Sequence, residues 1–127
     1  MRQMKRKNRF GKSLIEAVDK ELKRIFGEVA TLVIYGYLES NLFLKPEEIP
    51  EKIEVFAKGL NSFLDSGARV VERIILGNLY ASFGFEYKVE EGRGFADSVR
   101  ELKNRLKSVE SNSSVETSLS FELAEPR

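Results

Sequence analysis

A chain of 127 residues is the size of one domain, and its 21 basic and 20 acidic side chains leave almost no net charge. It contains neither cysteine nor histidine, which excludes disulfide staples, thiolate metal centres and chemistry that turns on an imidazole base. The small net charge conceals an uneven distribution, since six cations precede the first acid, the middle of the chain is slightly acidic, and four glutamates face one arginine at the end.

Those six are Arg2, Lys5, Arg6, Lys7, Arg9 and Lys12. They read as a flexible basic arm over 1–12, a candidate contact for the phosphates of nucleic acid or another anionic surface. The plainer reading is a solvated terminus. The rest of the chain offers no second basic face, and only Phe10 interleaves an aromatic. No apolar run follows the start closely enough for an export signal, and the most apolar stretch, 29–38, falls well short of the roughly 20 residues of a membrane span. The expectation is a cytoplasmic protein without a membrane span.

The first helix begins at Ser13, where Ser13 and Glu16 form a capping box. Leu14, Val18, Leu22 and Ile25, widened by Ile15 and Phe26, make its apolar stripe. Gly27 supplies a left-handed stop. The next segment, 28–44, is rich in β-branched residues and could form a strand, but the length of its apolar run favours a buried central helix. Pro46 and Pro50 force a connector over 45–50. A third helix follows from Glu51, carrying Ile53, Phe56, Ala57, Leu60, Phe63 and Leu64 at helical spacing. Asp65-Ser-Gly67 breaks it and offers the next N-cap.

A fourth helix runs to about Phe83, with Val70, Val71, Ile74, Ile75, Leu79 and Tyr80 inward, and Gly84 ends it. Residues 85–90 alternate apolar and charged side chains, so they read as a strand or as an extended segment lying on the bundle. After a turn at 91–94 comes a fifth helix, with Phe95, Val99, Leu102, Leu106 and Val109 stepping by four and three as in a coiled-coil seam. The polar tail, 111–127, reads as disordered. The fold class is therefore all-α: a four- to five-helix bundle over 13–110, with a short extended segment near 85–90.

Three features are candidate binding regions. The seam of the fifth helix either covers the bundle core or pairs with a second chain, making a homodimer. Gly36, Gly59 and Gly77 interrupt helical patterns, which suits close helix packing; a sharper reading has Gly36 and Gly77 opening room for a small apolar ligand beside Tyr35, Tyr37 and Tyr80. The basic arm is the third. Gly92-Arg-Gly94 matches no phosphate-loop fingerprint and reads as a turn. Glu47, Glu48, Glu51 and Glu54 read as first-turn acids facing a helix dipole rather than a metal site. No carboxylates pair at a catalytic spacing, so no catalytic residue, metal or cofactor is assigned.

The span 14–84 resembles the Nitrosopumilus output domain, a small archaeal helical domain of signalling proteins. The resemblance rests on the helix ending in Phe26-Gly27, the apolar second segment ending near Leu44, the connector Glu48-Ile-Pro-Glu51, and Gly67-Ala-Arg-Val-Val-Glu-Arg-Ile-Ile75 continuing into Leu79-Tyr80. It implies a helical module in regulation, with no established chemistry or ligand, and it transfers no functional residues. The leading functional reading is a non-enzymatic interaction or regulatory module that self-associates through the fifth helix. The alternative is a nucleic-acid-associated protein tethered by its basic arm.

Overall fold

Phe10, Leu14, Val18 and Leu22 repeat every four residues, so a helix running through them turns one stripe inward. In the computed structural model, which describes residues 5–108 with side chains from residue 9 onward, that helix starts earlier than its capping signal. α1 spans Lys5–Leu42, which places Ser13 inside the helix and leaves the capping box unused. Phe10 is the reason. Its ring is buried and stacks on Phe83 at 5.8 Å, extending the stripe one turn before Leu14. Residues 5–12, expected as a flexible arm, are thus helical.

Gly27 breaks α1 into a first arm, 5–26, and a second arm, 28–42. Its φ of 89° and ψ of 166° lie where a side chain would clash. The helix resumes at once, and the Thr31 hydroxyl donates to the Gly27 carbonyl at 2.8 Å. The hydroxyl of Tyr35 donates to Asp19 at 2.9 Å. In an unbroken helix these two residues would stand about 24 Å apart, so the break at Gly27 bends the second arm back towards the first.

The second arm is helical, but it is not the buried central helix that its composition suggests. Thr31, Ile34 and Leu38 point inward, while Val29, Leu32 and Val33 remain 77%, 66% and 56% exposed. The arm ends at Phe43, whose φ of 53° swings the next residue, Leu44, into the core. A single 3₁₀ turn, Pro46–Glu48, carries the chain onward, with the Glu48 carboxylate accepting the Lys45 N–H at 3.1 Å.

α2, Ile53–Leu64, buries Ile53, Phe56, Gly59 and Leu60. It packs against the second arm at Gly59, where a Cβ would overlap Leu38 and stand 2.8 Å from Leu42. Asp65 then turns the chain sharply with φ 52° and ψ −129°. α3, Gly67–Ser82, directs Ala68, Val71, Ile75 and Leu79 inward at steps of three and four. Val70, expected inside, falls off this stripe and is 58% exposed. α3 touches both α1 and α2.

Gly84 ends α3 in a Schellman arrangement. Its φ is 84°, its N–H donates to Ala81, and the N–H of Phe85 donates to Tyr80. Residues 85–90 form no strand; Phe85 and Tyr87 pack on the bundle, Tyr87 against the Tyr80 ring at 5.2 Å. α4, over 95–108, closes the core with Phe95, Val99 and Leu102. The Phe95 ring lies 5.8 Å from that of Phe56, and the buried Tyr80 hydroxyl donates to the Ser98 carbonyl at 2.7 Å. The architecture is an all-α bundle, as its patterning implies.

The glycines make opposite predictions. Overpacking at Gly59 costs about 1–3 kcal/mol, against the roughly 1 kcal/mol that alanine contributes to a helix. Gly59→Ala is therefore expected to lose up to about 2 kcal/mol. At Gly77 a Cβ meets nothing within 4 Å, so Gly77→Ala is expected to gain about 1 kcal/mol. Urea unfolding of the two variants checks both signs.

Candidate functional site

The basic residues divide between helix and groove. Arg2 lies outside the described residues, and for Lys5, Arg6 and Lys7 the structure gives the helical backbone alone. Arg9 and Lys12 are exposed and three residues apart, hence on one face of α1. Lys12 opens onto a groove that is also lined by Lys103, Asn104 and Lys107 of α4. A local reading does not join this second basic element to Lys12, because those lysines lie some ninety residues downstream, in a helix of four cations and two acids.

The seam of the fifth predicted helix, now α4, is consumed by the molecule itself. Phe95, Val99 and Leu102 are 4%, 3% and 0% exposed, and Leu106 packs half-buried against the same core; Val109 lies outside the described residues. A partner could reach these side chains only by opening the bundle. The seam is therefore a face of the chain's own core.

The proposed small-ligand region does not assemble. Gly36 is exposed, and a Cβ built on it meets nothing within 4 Å, as at Gly77. Tyr37 turns to the Phe63 ring at 5.1 Å, and Tyr80 is buried with its hydroxyl on Ser98. None of the four lines the main surface grooves. Of the three helical glycines only Gly59 serves close packing.

What the structure assembles instead is an apolar face on the second arm of α1. Val29, Leu32, Val33 and Gly36 follow one another at helical spacing on its outer side, with Ile25 before them at the end of the first arm. No charged residue occurs between Glu28 and Glu39. The signal was present in the sequence as an uncharged run longer than one core-facing stripe needs, but such a run suits a buried helix equally well.

The ionisable groups are engaged structurally. Glu21 is 5% exposed and accepts from Asn78 of α3 at 2.6 Å and from Arg24 at 2.7 Å. Burial pushes its carboxyl up, but these hydrogen bonds, with the charges of Arg24 and Lys20, outweigh it and hold the group below its ordinary range. Burial also raises the Tyr35 phenol, reinforced by its bond to Asp19, so it stays a donor. Glu72, half-buried, is raised by burial against the opposing charge of Arg69.

At the Gly92-Arg-Gly94 turn, Asp97 accepts the Gly94 N–H, and Arg93 pairs with Glu90 and Glu101. Of the connector acids, Glu48 is held by Lys45 and Glu54 by Arg100. Among the described residues no group of acids is placed to hold a metal, and no helix is long and apolar enough to cross a membrane.

No family model, curated protein or solved structure matches the chain.

The Glu21–Asn78 bond makes a pH-dependent prediction. A hydrogen bond to a charged group contributes about 1.5–3 kcal/mol, so Asn78→Ala should lose that much at neutral pH. Because the folded-state pKa of Glu21 is depressed below 4.5, the ion's stabilisation is present above that value and disappears as the pH falls through the folded pKa. The gap between wild type and Asn78→Ala should thus narrow in acid, as read by urea unfolding at a series of pH values.

Proposed function

We propose that the protein is a non-enzymatic helical interaction module of a regulatory kind, which self-associates through the second arm of α1. The observation that carries this is the exposure of Val29, Leu32 and Val33 on one uncharged helix face. Exposed apolar faces of this kind mark interaction surfaces. The resemblance over 14–84, drawn from the sequence, points in the same regulatory direction.

The occupant is a second copy because the face complements itself. An antiparallel pair centred between Leu32 and Val33 sets Leu32 opposite Val33 of the second copy and Val29 opposite its Gly36. The open space over Gly36 then receives the Val29 side chain, which gives a reason for an exposed glycine that costs the helix about 1 kcal/mol. Such a pairing is two-fold and closed, so it stops at the dimer. The face is only a few turns long, which places the dimer in the weak, concentration-dependent class.

Sedimentation equilibrium from about 10 μM to 1 mM, a range that brackets weak association, is expected to show a monomer–dimer equilibrium. Leu32→Glu should abolish the dimer while shifting monomer stability by no more than about 0.5 kcal/mol, as at an ordinary surface site. Gly36→Ala should stabilise the monomer by about 1 kcal/mol and weaken the dimer, whereas Gly77→Ala should stabilise without touching association. A chain that stays monomeric throughout, or a dimer indifferent to Leu32→Glu, overturns the reading.

A further inference from the structure

We propose that the groove bounded by residues 10–15 of α1, residues 47–55 and residues 99–107 of α4 binds the phosphate backbone of a nucleic acid duplex. This inference does not rest on the self-association above, which uses a different part of α1.

The groove brings Lys12 of α1 beside Lys103 and Lys107 of α4, two lysines one turn apart on the same helix face. The other two cations that line it are engaged: Lys52 pairs with Glu48, and Arg100 with Glu54 and Asp97. Among the described residues Lys12, Lys103 and Lys107 enter no ion pair. Three like charges so gathered repel one another unless a counter-charge settles among them, and a row of phosphates is such a counter-charge. Arg9 adds an exposed cation on the same face of α1 as Lys12. The chain before it carries four more basic residues and no acid.

The chemistry of the lining selects among polyanions. Lysines act as point charges that suit phosphate without demanding a planar partner. Phe10, the aromatic of the basic segment, is buried against Phe83 and offers no platform for an unstacked base. That favours duplex over single strand. Of the groove's apolar members Phe10, Ile53 and Val99 are buried and Ile15, Pro50 and Val55 only partly exposed, so no large apolar side chain stands out towards a lipid surface. Glu47 and Glu51 also line the groove and repel phosphate, which confines the backbone to the lysines. Binding of this kind is sequence-independent and steeply dependent on salt.

The test is anisotropy of a labelled random-sequence DNA duplex titrated with the full chain between about 50 and 200 mM salt. Each lysine on a phosphate contributes about 0.9 to the slope of log affinity against log salt. Lys103→Gln with Lys107→Gln should therefore lower that slope by about two, and adding Lys12→Gln by about three. Lys58→Gln, exposed and outside the groove, should leave the slope unchanged. Circular dichroism confirms that the variants are folded. Absence of binding at the lowest salt overturns the proposal, as does a salt slope that all three substitutions together leave unchanged. Capture by phosphatidylserine vesicles with none by duplex also overturns it and assigns the groove to membranes.

Discussion

Gly27 and the Tyr35–Asp19 hydrogen bond together decide what the rest of the molecule can be. The glycine supplies a backbone angle unavailable to a residue with a side chain, and the phenol ties down the arm that this angle redirects. A straight α1 would carry its second half away from α3 and leave Ile34 and Leu38 in water. With the bend in place, Leu38 meets Gly59, α2 closes over it, and α3 has two neighbours to pack between. The energetic weight of the bend therefore lies less in one hydrogen bond of about 1 kcal/mol than in the apolar contacts it makes available.

The bend also explains why the second arm shows two faces. Lying back along the first arm and against α2, it is covered on the side of Thr31, Ile34 and Leu38 and open on the other. The apolar content of that open side is what the proposed self-association uses, and the occupied seam of α4 leaves that face without a rival of its kind among the described helices. The basic groove arises from a different juxtaposition, α4 laid beside the beginning of α1. The two surfaces owe nothing to each other, and each can change without disturbing the other.

Much of the fold could be read from spacing. The stripes of α1, α2 and α3 and the stops at Gly27 and Gly84 follow from helical periodicity and from backbone angles that only glycine takes easily. The start of α1 is not legible locally, because the capping box at Ser13 is a sound signal that is overridden by burial of Phe10 against a residue more than seventy positions away. The second arm reads as wholly buried because composition distinguishes buried from exposed only when charges interrupt it, and none do. Gly59 and Gly36 look alike in sequence, yet one is pressed against leucines and the other stands open. The lysines of α4 join Lys12 only in three dimensions. Local chemistry was legible, and long-range juxtaposition was not.

The stacking of Phe10 on Phe83 has a consequence for recognition kinetics and entropy. A charged terminus that wanders must surrender its conformational freedom on every encounter, at about 1–2 kcal/mol for each residue brought to order. Anchoring the ring one turn ahead of the main stripe settles that cost during folding. Arg9 and Lys12 are carried on a helix held to the bundle by that stack, so a ligand that meets them meets a surface already formed rather than a loose tether.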